Sequence, residues 1–490
     1  MSPSWITRVC SSRPRSLSRK TPSTRTSSAS RVPSINSPKV EAMARTCTSS
    51  FDGVHDVRWR TAATLSLDAV CANAGTNAAS AIATAPMARR STKNPRFGLE
   101  RDTGRPEGIE RRLYHDSRIS TTSPHHPRTT LDAGAYTDPA WFQAEGDRIF
   151  ARMWLAVGRA AELERPGAFL TRDIAGASVV VVRGHHGRIQ AFHNVCRHRG
   201  TRLCVTEAGT FPGSIQCPYH AWTYGLDGAL LAAPQMDDAP GFDKGDYPLR
   251  TVACDRWDGH IFINLSDAPA PLLEQIHGLP ARFAAWGMQD LRLVRRIQYD
   301  VATNWKLVVQ NYSECLHCPV IHPLLNRMHH YLAAENVPST ETYCGGAMGF
   351  KDGVETLSTD GKRRRAVLPG LGSRERELVS YFAIYPNFLL TLHPDYMMTI
   401  TIWPRSPGRT RLIAEWHFHP DEIAKPGFVF EDAIEFWDRT NREDWAISEQ
   451  SYLGISSRGY QPGPYSAREQ QLWEFDQFVL KAVKGHEDLT

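Results

Sequence analysis

The chain has 490 residues, a length that ordinarily holds two or three domains. Its formal net charge of +5 conceals an uneven distribution, because residues 1–128 contain 21 Lys and Arg against 9 Asp and Glu, while the remainder contains 36 against 43. No run of 18 apolar residues occurs, so we expect no membrane span. The basic segment has no interleaved aromatic residues and no recognition motif, so we also expect no nucleic-acid binding.

Residues 1–128 are predicted to form a basic, disordered N-terminal extension. The first 50 residues are rich in Ser, Thr, Pro and Arg and include one acidic residue, so they cannot bury enough apolar surface to offset the entropy lost on ordering. The same composition is typical of a transit peptide or of a basic arm. A further interpretation is translation from upstream of the natural start, with Met87 as the alternative initiator.

Ordered structure is expected from Tyr136 onward, beginning with a helix inside residues 129–153. Asp138 is a good N-cap residue, and Pro139 suits the first helical position. Apolar residues then recur at helical spacing from Trp141 to Trp154.

Residues 154–265 show the pattern of short strands and turns. Segments 179–183 and 188–193 are predicted strands, joined by a turn at His186-Gly187. Glycines punctuate the stretch that follows, as expected where short strands carry metal-binding loops.

Two short segments of this region each contain one Cys and one His. They are Cys196-Arg-His198 and Cys217-Pro-Tyr-His220. Two thiolates and two imidazoles suit either tetrahedral zinc or an iron–sulfur cluster. Zinc fingers usually pair Cys with Cys and His with His. The mixed arrangement instead suits a two-iron cluster in which two thiolates bind one iron and two imidazoles bind the other.

The larger second part of the chain is predicted to be an antiparallel sheet with helices. The predicted strands are residues 291–300, 377–384, 387–393, 396–403 and 411–419. Residues 350–376 carry Gly and many charges, which is typical of a mobile surface loop or of a lid. The aromatic residues of the strands could form a cage for a quaternary ammonium group or could be core residues. They are Tyr381, Tyr385, Tyr396 and Trp403.

Residues 304–322 are predicted to form a helix that ends near Cys318, because Pro319 cannot continue it. Its polar residues recur at spacings of three and four and so share one face. They are Gln310, Asn311, Glu314 and His317. His322 follows the break, where the chain can turn back and direct a second imidazole to the same point. Two neutral imidazoles suit a first-row metal such as iron, zinc or copper, although they could equally satisfy a helix end.

A carboxylate that could complete such a site occurs in a predicted helix over residues 430–451. Asp444 lies on the apolar stripe of this helix, whereas Glu443 is rotated about 100° away. An acid on an apolar stripe needs a partner, either a metal or an ion pair. The ten cysteines show no paired framework, which suits a reducing cytoplasm. Cys315 and Cys318 are interpreted as packing residues.

The two Cys/His segments together with residues 304–322 resemble the large (alpha) subunit of the Rieske non-haem iron oxygenases, over residues 135–481. The resemblance implies an α+β fold, in which an N-terminal all-β Rieske [2Fe-2S] domain (154–265) precedes a C-terminal catalytic domain (266–482). The catalytic domain would have a helix-grip (START/Bet v1-like) fold with an antiparallel sheet. Residues 483–490 would form a tail.

The resemblance also implies two cofactors, a Rieske [2Fe-2S] cluster and one mononuclear Fe(II) per subunit. The cluster ligands would be Cys196, His198, Cys217 and His220. The iron ligands would be His317, His322 and Asp444, a two-His, one-carboxylate triad. Glu314 matches the acidic residue that links the two centres, and Asn311 matches an asparagine close to the iron. Relatives often have an acid in the place of Gln310.

By the same resemblance, the chain would be the oxygenase component of a multicomponent monooxygenase or dioxygenase, acting with O2 on a small organic substrate. Candidate substrates are choline-, betaine- or carnitine-like compounds, or aromatic compounds. Electrons would come from a separate NAD(P)H-dependent ferredoxin-type reductase, because no dinucleotide-binding GxGxxG is present. A homotrimer is expected, with each cluster serving a neighbouring subunit's iron. Two rival classes are a Rieske-type electron carrier without oxygenase activity and a zinc-binding interaction module.

Overall fold

The computed structural model describes residues 128–485, which belong to one compact unit. The predicted extension at residues 1–128, except for Arg128, lies outside the described residues, as do residues 486–490 of the predicted tail. Within the described range, no helix is both long enough and apolar enough to cross a membrane.

The described chain begins with two short helices, α1 (Gly134–Thr137) and α2 (Pro139–Glu145). The Asp138 carboxylate accepts a 2.8 Å hydrogen bond from the Ala140 N–H, and Pro139 lies in the first turn, where its missing N–H costs nothing. Helix α2 continues into a π-helical turn, Gly146–Phe150, whose apolar residues are buried. The predicted start of this helix is therefore confirmed.

Two antiparallel sheets form the first half of the described chain. The strands of the larger sheet are β1 (Leu155–Arg159), β2 (Ala168–Ile174), β3 (Ala177–Arg183), β4 (Ile189–His193), β5 (Ala208–Thr210), β9 (Thr251–Trp257) and β10 (His260–Asn264). Their spatial order is β1-β10-β9-β4-β3-β2-β5. The smaller sheet consists of β6 (Ser214–Gln216), β7 (Thr223–Gly225) and β8 (Leu230–Ala232).

The four consecutive valines of strand β3 are all buried, because both faces of this strand are covered. Successive side chains of a strand point to opposite faces. Val179 and Val181 pack in the main hydrophobic core, whereas Val180 and Val182 pack in the smaller core that contains the cluster cysteines. Both faces of β3 are therefore covered, and the strands predicted at residues 179–183 and 188–193 are confirmed.

A seven-stranded antiparallel sheet forms the second half. Its strands are β11 (Arg292–Val301), β12 (Glu335–Asn336), β13 (Tyr343–Gly349), β14 (Leu378–Ile384), β15 (Phe388–Leu392), β16 (Met397–Ser406) and β17 (Arg409–Phe418). Their order is β11-β17-β16-β15-β14-β13-β12. The five predicted strands of this region are confirmed to within a few residues. The helices are α3 (Leu272–Gln275), α4 (Leu279–Phe283), α5 (Trp305–Tyr312), α6 (Cys318–Ile321), α7 (Pro323–Met328), α8 (Pro420–Ile423), α9 (Glu431–Ile455) and α10 (Gln470–Lys484).

The single helix expected over residues 304–322 is wrong. Helix α5 ends at Tyr312, and its C-cap residue Ser313 bonds to the Val309 carbonyl through both its N–H at 3.1 Å and its hydroxyl at 2.7 Å. Pro319 lies in the first turn of α6, so it begins a short helix and does not end a long one. Glu314 and the following residues therefore do not share a helical face with Asn311.

The segment at residues 350–376 is irregular and largely exposed, as predicted for a surface loop, but buried side chains anchor it and it does not form a freely mobile lid. The Arg365 guanidinium is fully buried and donates to Asp395 at 2.8 Å and to Asp432 at 2.5 Å. Asp432 lies in the first turn of α9, and Asp395 precedes β16. This buried ion network fixes the segment to both elements.

Candidate active site

Two loops of similar backbone shape contain the predicted cluster ligands. Loop 196–200 follows β4 and loop 217–221 follows β6. In each loop the residue four positions after the cysteine donates its N–H to the cysteine carbonyl at 3.1 Å, Gly200 to Cys196 and Ala221 to Cys217. Both donors have positive φ, 73° at Gly200 and 56° at Ala221. Such values are easy for Gly and costly for Ala.

The four predicted cluster ligands lie close together, with the thiols inside and the imidazoles outside. Cys196 and Cys217 are buried, whereas both imidazoles are half-buried. The ring centroids of His198 and His220 are 4.7 Å apart. The His198 Nδ1 is buried and has no hydrogen-bond partner among residues 128–485. An unpartnered ring nitrogen beside a second imidazole and two buried thiols fits the donor set of a Rieske cluster.

A second group of metal-ligating atoms is formed by His317, His322 and Asp444. The His322 Nε2 lies 3.2 Å from the His317 Nε2 and 2.8 Å from the Asp444 Oδ1. The His317 Nε2 lies 3.4 Å from the same carboxylate oxygen. Three donor atoms at these mutual distances can bind one metal ion on one side, which is the arrangement of a facial triad. The geometry and the donor chemistry fit iron.

Helices α6 and α9 position this triad. His317 is the N-cap and His322 the C-cap of α6, so one short helical turn brings the two imidazoles together. The Ile321 N–H donates to the His317 carbonyl at 3.0 Å and fixes that turn. Asp444 comes from α9, 122 residues further along the chain. The predicted helix at residues 430–451 is confirmed as α9.

Each imidazole of the triad also contacts a carboxylate through its other ring nitrogen. The His317 Nδ1 lies 2.5 Å from Glu314, and the His322 Nδ1 lies 2.8 Å from Glu443. Burial lowers the pKa of His317, but the hydrogen bonds with Asp444 and Glu314 outweigh this effect and raise it to about 9. Metal binding by this imidazole therefore displaces a proton over most of the physiological pH range.

The two polar residues at the end of α5 have different surroundings. Asn311 lines the same cavity as the triad. Gln310 instead donates to the Asp476 carboxylate at 2.6 Å and to the Tyr136 hydroxyl at 3.0 Å. Gln310 is thus bonded to a carboxylate from α10 and points away from the cavity that Asn311 lines.

A cavity of about 580 Å³ lies beside the triad. Three aromatic rings form a continuous wall, since the ring centroids of Tyr312 and Tyr381 are 6.2 Å apart and those of Tyr381 and Trp437 are 6.3 Å apart. We call these three residues the aromatic wall. Glu474 from α10 adds a carboxylate to the cavity lining.

For three of the four strand aromatics the core interpretation is correct and the cage interpretation is not. Tyr381 lines the cavity, whereas the other three are buried and do not line it. The hydroxyl of Tyr396 donates to the Leu357 carbonyl, and the indole of Trp403 donates to Thr401. The ring of Tyr385 stacks on Phe478. These three aromatic residues belong to the core.

Cys315 and Cys318 form a disulfide that lines the same cavity. The prediction that they are separate packing thiols is therefore wrong. The sequence contained the signal, a C-x-x-C around His317, but nothing in the spacing distinguishes a disulfide from two thiols.

The sequence did not identify three further residues of the site. Glu443 was set aside because it lies 100° around the helix from Asp444. Tyr312 and Trp437 lie on two helices that are distant in sequence, so only the tertiary fold brings them to one wall.

Comparison with known proteins identifies the family. Residues 153–248 match the Rieske [2Fe-2S] domain, and residues 288–485 match the Ring hydroxylating alpha subunit (catalytic domain), which uses a mononuclear iron. The glycine betaine monooxygenase oxygenase subunit of Pseudomonas aeruginosa is 32% identical over 360 residues, which cover 68% of this chain and 83% of that protein. The carnitine monooxygenase oxygenase subunit of Escherichia coli is 38% identical over 196 residues, covering 40% and 52% of the two chains.

Solved structures show the same fold. The quaternary ammonium Rieske monooxygenase CntA in complex with L-carnitine has a TM-score of 0.61 at 26% identity, covering 73% of this chain and 96% of that one. Naphthalene 1,2-dioxygenase from Rhodococcus sp. has a TM-score of 0.61 at 18% identity, covering 73% and 95%. The predicted fold class, an all-β Rieske domain followed by a catalytic domain with an antiparallel sheet, is confirmed. The chain belongs to the Rieske non-haem iron oxygenases, as an alpha subunit with a [2Fe-2S] cluster and a mononuclear iron.

Proposed function

We propose that this chain is the oxygenase component that hydroxylates or oxidatively demethylates a small quaternary ammonium compound. O2 is the oxidant, and the electrons come from NAD(P)H through a separate ferredoxin-type reductase. In a demethylation, one oxygen atom leaves in formaldehyde and the other in water, while the reduced nicotinamide supplies two electrons. The cytoplasm remains the proposed location, although the Cys315–Cys318 disulfide departs from the unpaired cysteines on which that prediction rests.

The aromatic wall is the observation that carries the choice of substrate class. Tyr312, Tyr381 and Trp437 line the cavity that also contains the triad. The faces of aromatic rings attract cations, and clusters of rings are used to bind quaternary ammonium groups. The lining also includes the Glu474 carboxylate and the Arg468 guanidinium, so the choice of substrate class rests on the aromatic wall. The similar glycine betaine and carnitine monooxygenase oxygenase subunits are named for substrates of this class.

The protein's own groups have separate tasks in this proposal. His317, His322 and Asp444 would hold the iron, and the two Cys/His loops would hold the cluster. When bound, the cluster supplies electrons one at a time and the iron activates O2. Asn311, in the cavity wall, is placed to hydrogen-bond a polar group beside the iron. The aromatic wall holds the cationic end of the substrate and excludes water from it.

We further propose a homotrimeric ring in which each cluster serves a neighbouring subunit. Tyr219 is exposed beside the half-buried His220, so the cluster loops are open to a partner. On the iron side, Glu314 is bonded to His317 and its side chain is 16% exposed, which leaves it within reach of an adjacent chain. Glu314 would then join the iron ligand of one subunit to His198 or His220 of the next.

Two other functions make different predictions. Ring hydroxylation of an aromatic compound could also use an aromatic-walled cavity. Since the chain shares its fold with naphthalene 1,2-dioxygenase, an aromatic compound is included among the substrates tested below. An electron carrier without oxygenase activity would contain about two irons per chain, whereas the proposed enzyme contains about three.

The test is O2 uptake by the purified protein with NAD(P)H and a reductase of this class. The panel contains glycine betaine, carnitine, choline, an aromatic carboxylate and 3,3-dimethylbutanol, the uncharged carbon analogue of choline. We expect substrate-dependent O2 uptake and formaldehyde or a hydroxylated product with at least one quaternary ammonium compound, and none with the uncharged analogue. Turnover of the aromatic carboxylate alone would contradict the proposal.

A pair of variants tests the aromatic wall directly. Tyr381→Phe keeps the ring, whereas Tyr381→Leu removes it at similar volume. A cation–π contact contributes about 1–2 kcal/mol when desolvated, so we expect Tyr381→Leu to raise KM for the cation by roughly 5- to 30-fold. The Phe variant should stay close to the wild type. Equal KM values in the two variants would show that the Tyr381 ring does not contribute to substrate binding.

A further inference from the structure

Glu443 contacts the triad from outside, and its contacts assign it a specific task. The His322 imidazole is 1% exposed, and its Nε2 is one of the three converging donor atoms. Its Nδ1 lies 2.8 Å from the Glu443 Oε2. A carboxylate at this distance accepts the Nδ1–H and leaves the Nε2 lone pair free for a metal.

Glu443 and Asp444 are consecutive residues of α9, yet they contact opposite nitrogens of the same ring. Consecutive helical residues point about 100° apart, so the two carboxylates can lie on either side of one imidazole. Asp444 lies 2.8 Å from Nε2 and Glu443 lies 2.8 Å from Nδ1. One turn of α9 thus provides a ligand and also fixes the orientation of a second ligand.

The second oxygen of Glu443 is also occupied. The Glu443 Oε1 accepts a 3.0 Å hydrogen bond from the Arg439 Nε, one turn earlier on α9. The side chain of Glu443 is 24% exposed, against 58% for Arg439. With both oxygens bound, the carboxylate has little freedom to rotate away from His322.

We propose that Glu443 is a positioning residue that holds the His322 ring in the orientation and tautomer required for iron binding. The proposal rests on the proposed iron triad. It differs from the role of Glu314, because Glu443 is bonded to Arg439 of its own helix and needs no adjacent subunit. Outer carboxylates of this kind typically contribute 10- to 100-fold to metal affinity.

The test measures Fe(II) affinity of the full chain with its cluster, by competition with a chelator under anaerobic conditions. We expect Glu443→Ala to weaken mononuclear Fe(II) binding about 10- to 100-fold. Glu443→Gln should lose less, because its amide oxygen can still accept the Nδ1–H. The nitric oxide adduct of the Fe(II) site should show an altered EPR rhombicity in both variants, with the cluster absorbance unchanged.

Arg442→Gln is the matched control. It breaks the Arg442–Asp438 pair, which has the same i,i+4 spacing and the same 3.0 Å distance on the same helix. This control should bind Fe(II) as the wild type does. If Glu443→Gln and Glu443→Ala both bind Fe(II) within about twofold of the wild type while Asp444→Ala does not bind it, the positioning role is refuted and the triad stands. If Asp444→Ala keeps the iron, the proposed triad itself fails. If Glu443→Ala does not fold, the Fe(II) affinity of Glu443→Gln is compared with those of the wild type and Arg442→Gln instead.

Discussion

A buried ion pair joins Lys306 of α5 to Glu145 of α2, and its removal should lower the free energy of unfolding by a predictable amount. The Lys306 Nζ lies 2.5 Å from the Glu145 carboxylate, and the two side chains are 0% and 1% exposed. Glu145 also accepts hydrogen bonds from the indoles of Trp141 at 3.0 Å and Trp305 at 2.8 Å. The perturbation is Lys306→Met, which keeps the length of the side chain and removes the charge.

The expected cost follows from what remains. Lys306→Met leaves a buried carboxylate without its cation, which typically costs about 3–5 kcal/mol. The two indole donors still satisfy part of that carboxylate, so we expect about 3 kcal/mol, the low end of the range. In the double variant Lys306→Met/Glu145→Gln no charge is buried, and the amide oxygen can still accept from the indoles. The double variant should therefore be about 2 kcal/mol more stable than Lys306→Met alone.

The assay is urea unfolding at fixed cluster and iron content, with the four members of the double-mutant cycle compared. Lys481→Met is the matched control, because Lys481 also pairs with a carboxylate, Glu341, but the two side chains are 38% and 74% exposed. An exposed pair contributes about 0–1 kcal/mol, so this variant should unfold close to the wild type. Additive losses in the cycle, or a Lys306→Met cost no larger than that of Lys481→Met, would refute the reasoning.

Two further predictions concern the cluster and a buried acid. The Tyr224 hydroxyl accepts from the Arg197 N–H at 2.9 Å and so donates to the Cys196 sulfur at 3.3 Å. Tyr224→Phe should lower the cluster's reduction potential by about 40 mV, since one hydrogen bond contributes about 1 kcal/mol, and voltammetry that shows no fall would contradict this. Burial raises the pKa of Asp476 to about 7, against opposing hydrogen bonds from Tyr465 and Gln310. The folded state therefore binds more protons than the unfolded state between about pH 4 and pH 7, and stability should fall as the pH rises through that range. We expect the unfolding free energy of Asp476→Asn to fall less steeply with rising pH than that of the wild type over this range. Identical pH dependences of the two unfolding free energies would show that Asp476 does not titrate in this way.

Strands and metal loops were predictable because their signals are local. The side chains of strand β3 point alternately into two hydrophobic cores, as its run of valines predicts. The order and spacing of Cys and His in the two short segments indicate the kind of metal site. The end of α5 was not predictable in the same way. Pro319 can either end one helix or begin another, and the local sequence does not say which of these occurs.

The aromatic wall shows the limit of a strand pattern when both faces of a strand are buried. In β14, Tyr381 and Ala383 line the cavity, whereas Phe382 and Ile384 pack in a separate hydrophobic cluster. Alternation predicts that these two sets point in opposite directions. It does not say which face meets the cavity, because both sets are apolar and both are covered.

Helix α9 connects the parts of the site that the sequence presents separately. Its first turn is tied to the buried Arg365 through Asp432, and two turns before Asp444 the Trp437 indole donates to the Tyr396 hydroxyl at 2.9 Å. Glu443 and Asp444 then contact the two nitrogens of His322. A rotation or slide of this helix would therefore change the iron ligand, the support of a second ligand and the aromatic wall together. Because Trp437, Glu443 and Asp444 belong to one helix, one ring of the aromatic wall keeps a fixed spacing from the proposed carboxylate ligand, while α5, α6 and β14 provide the other two rings and the two imidazoles.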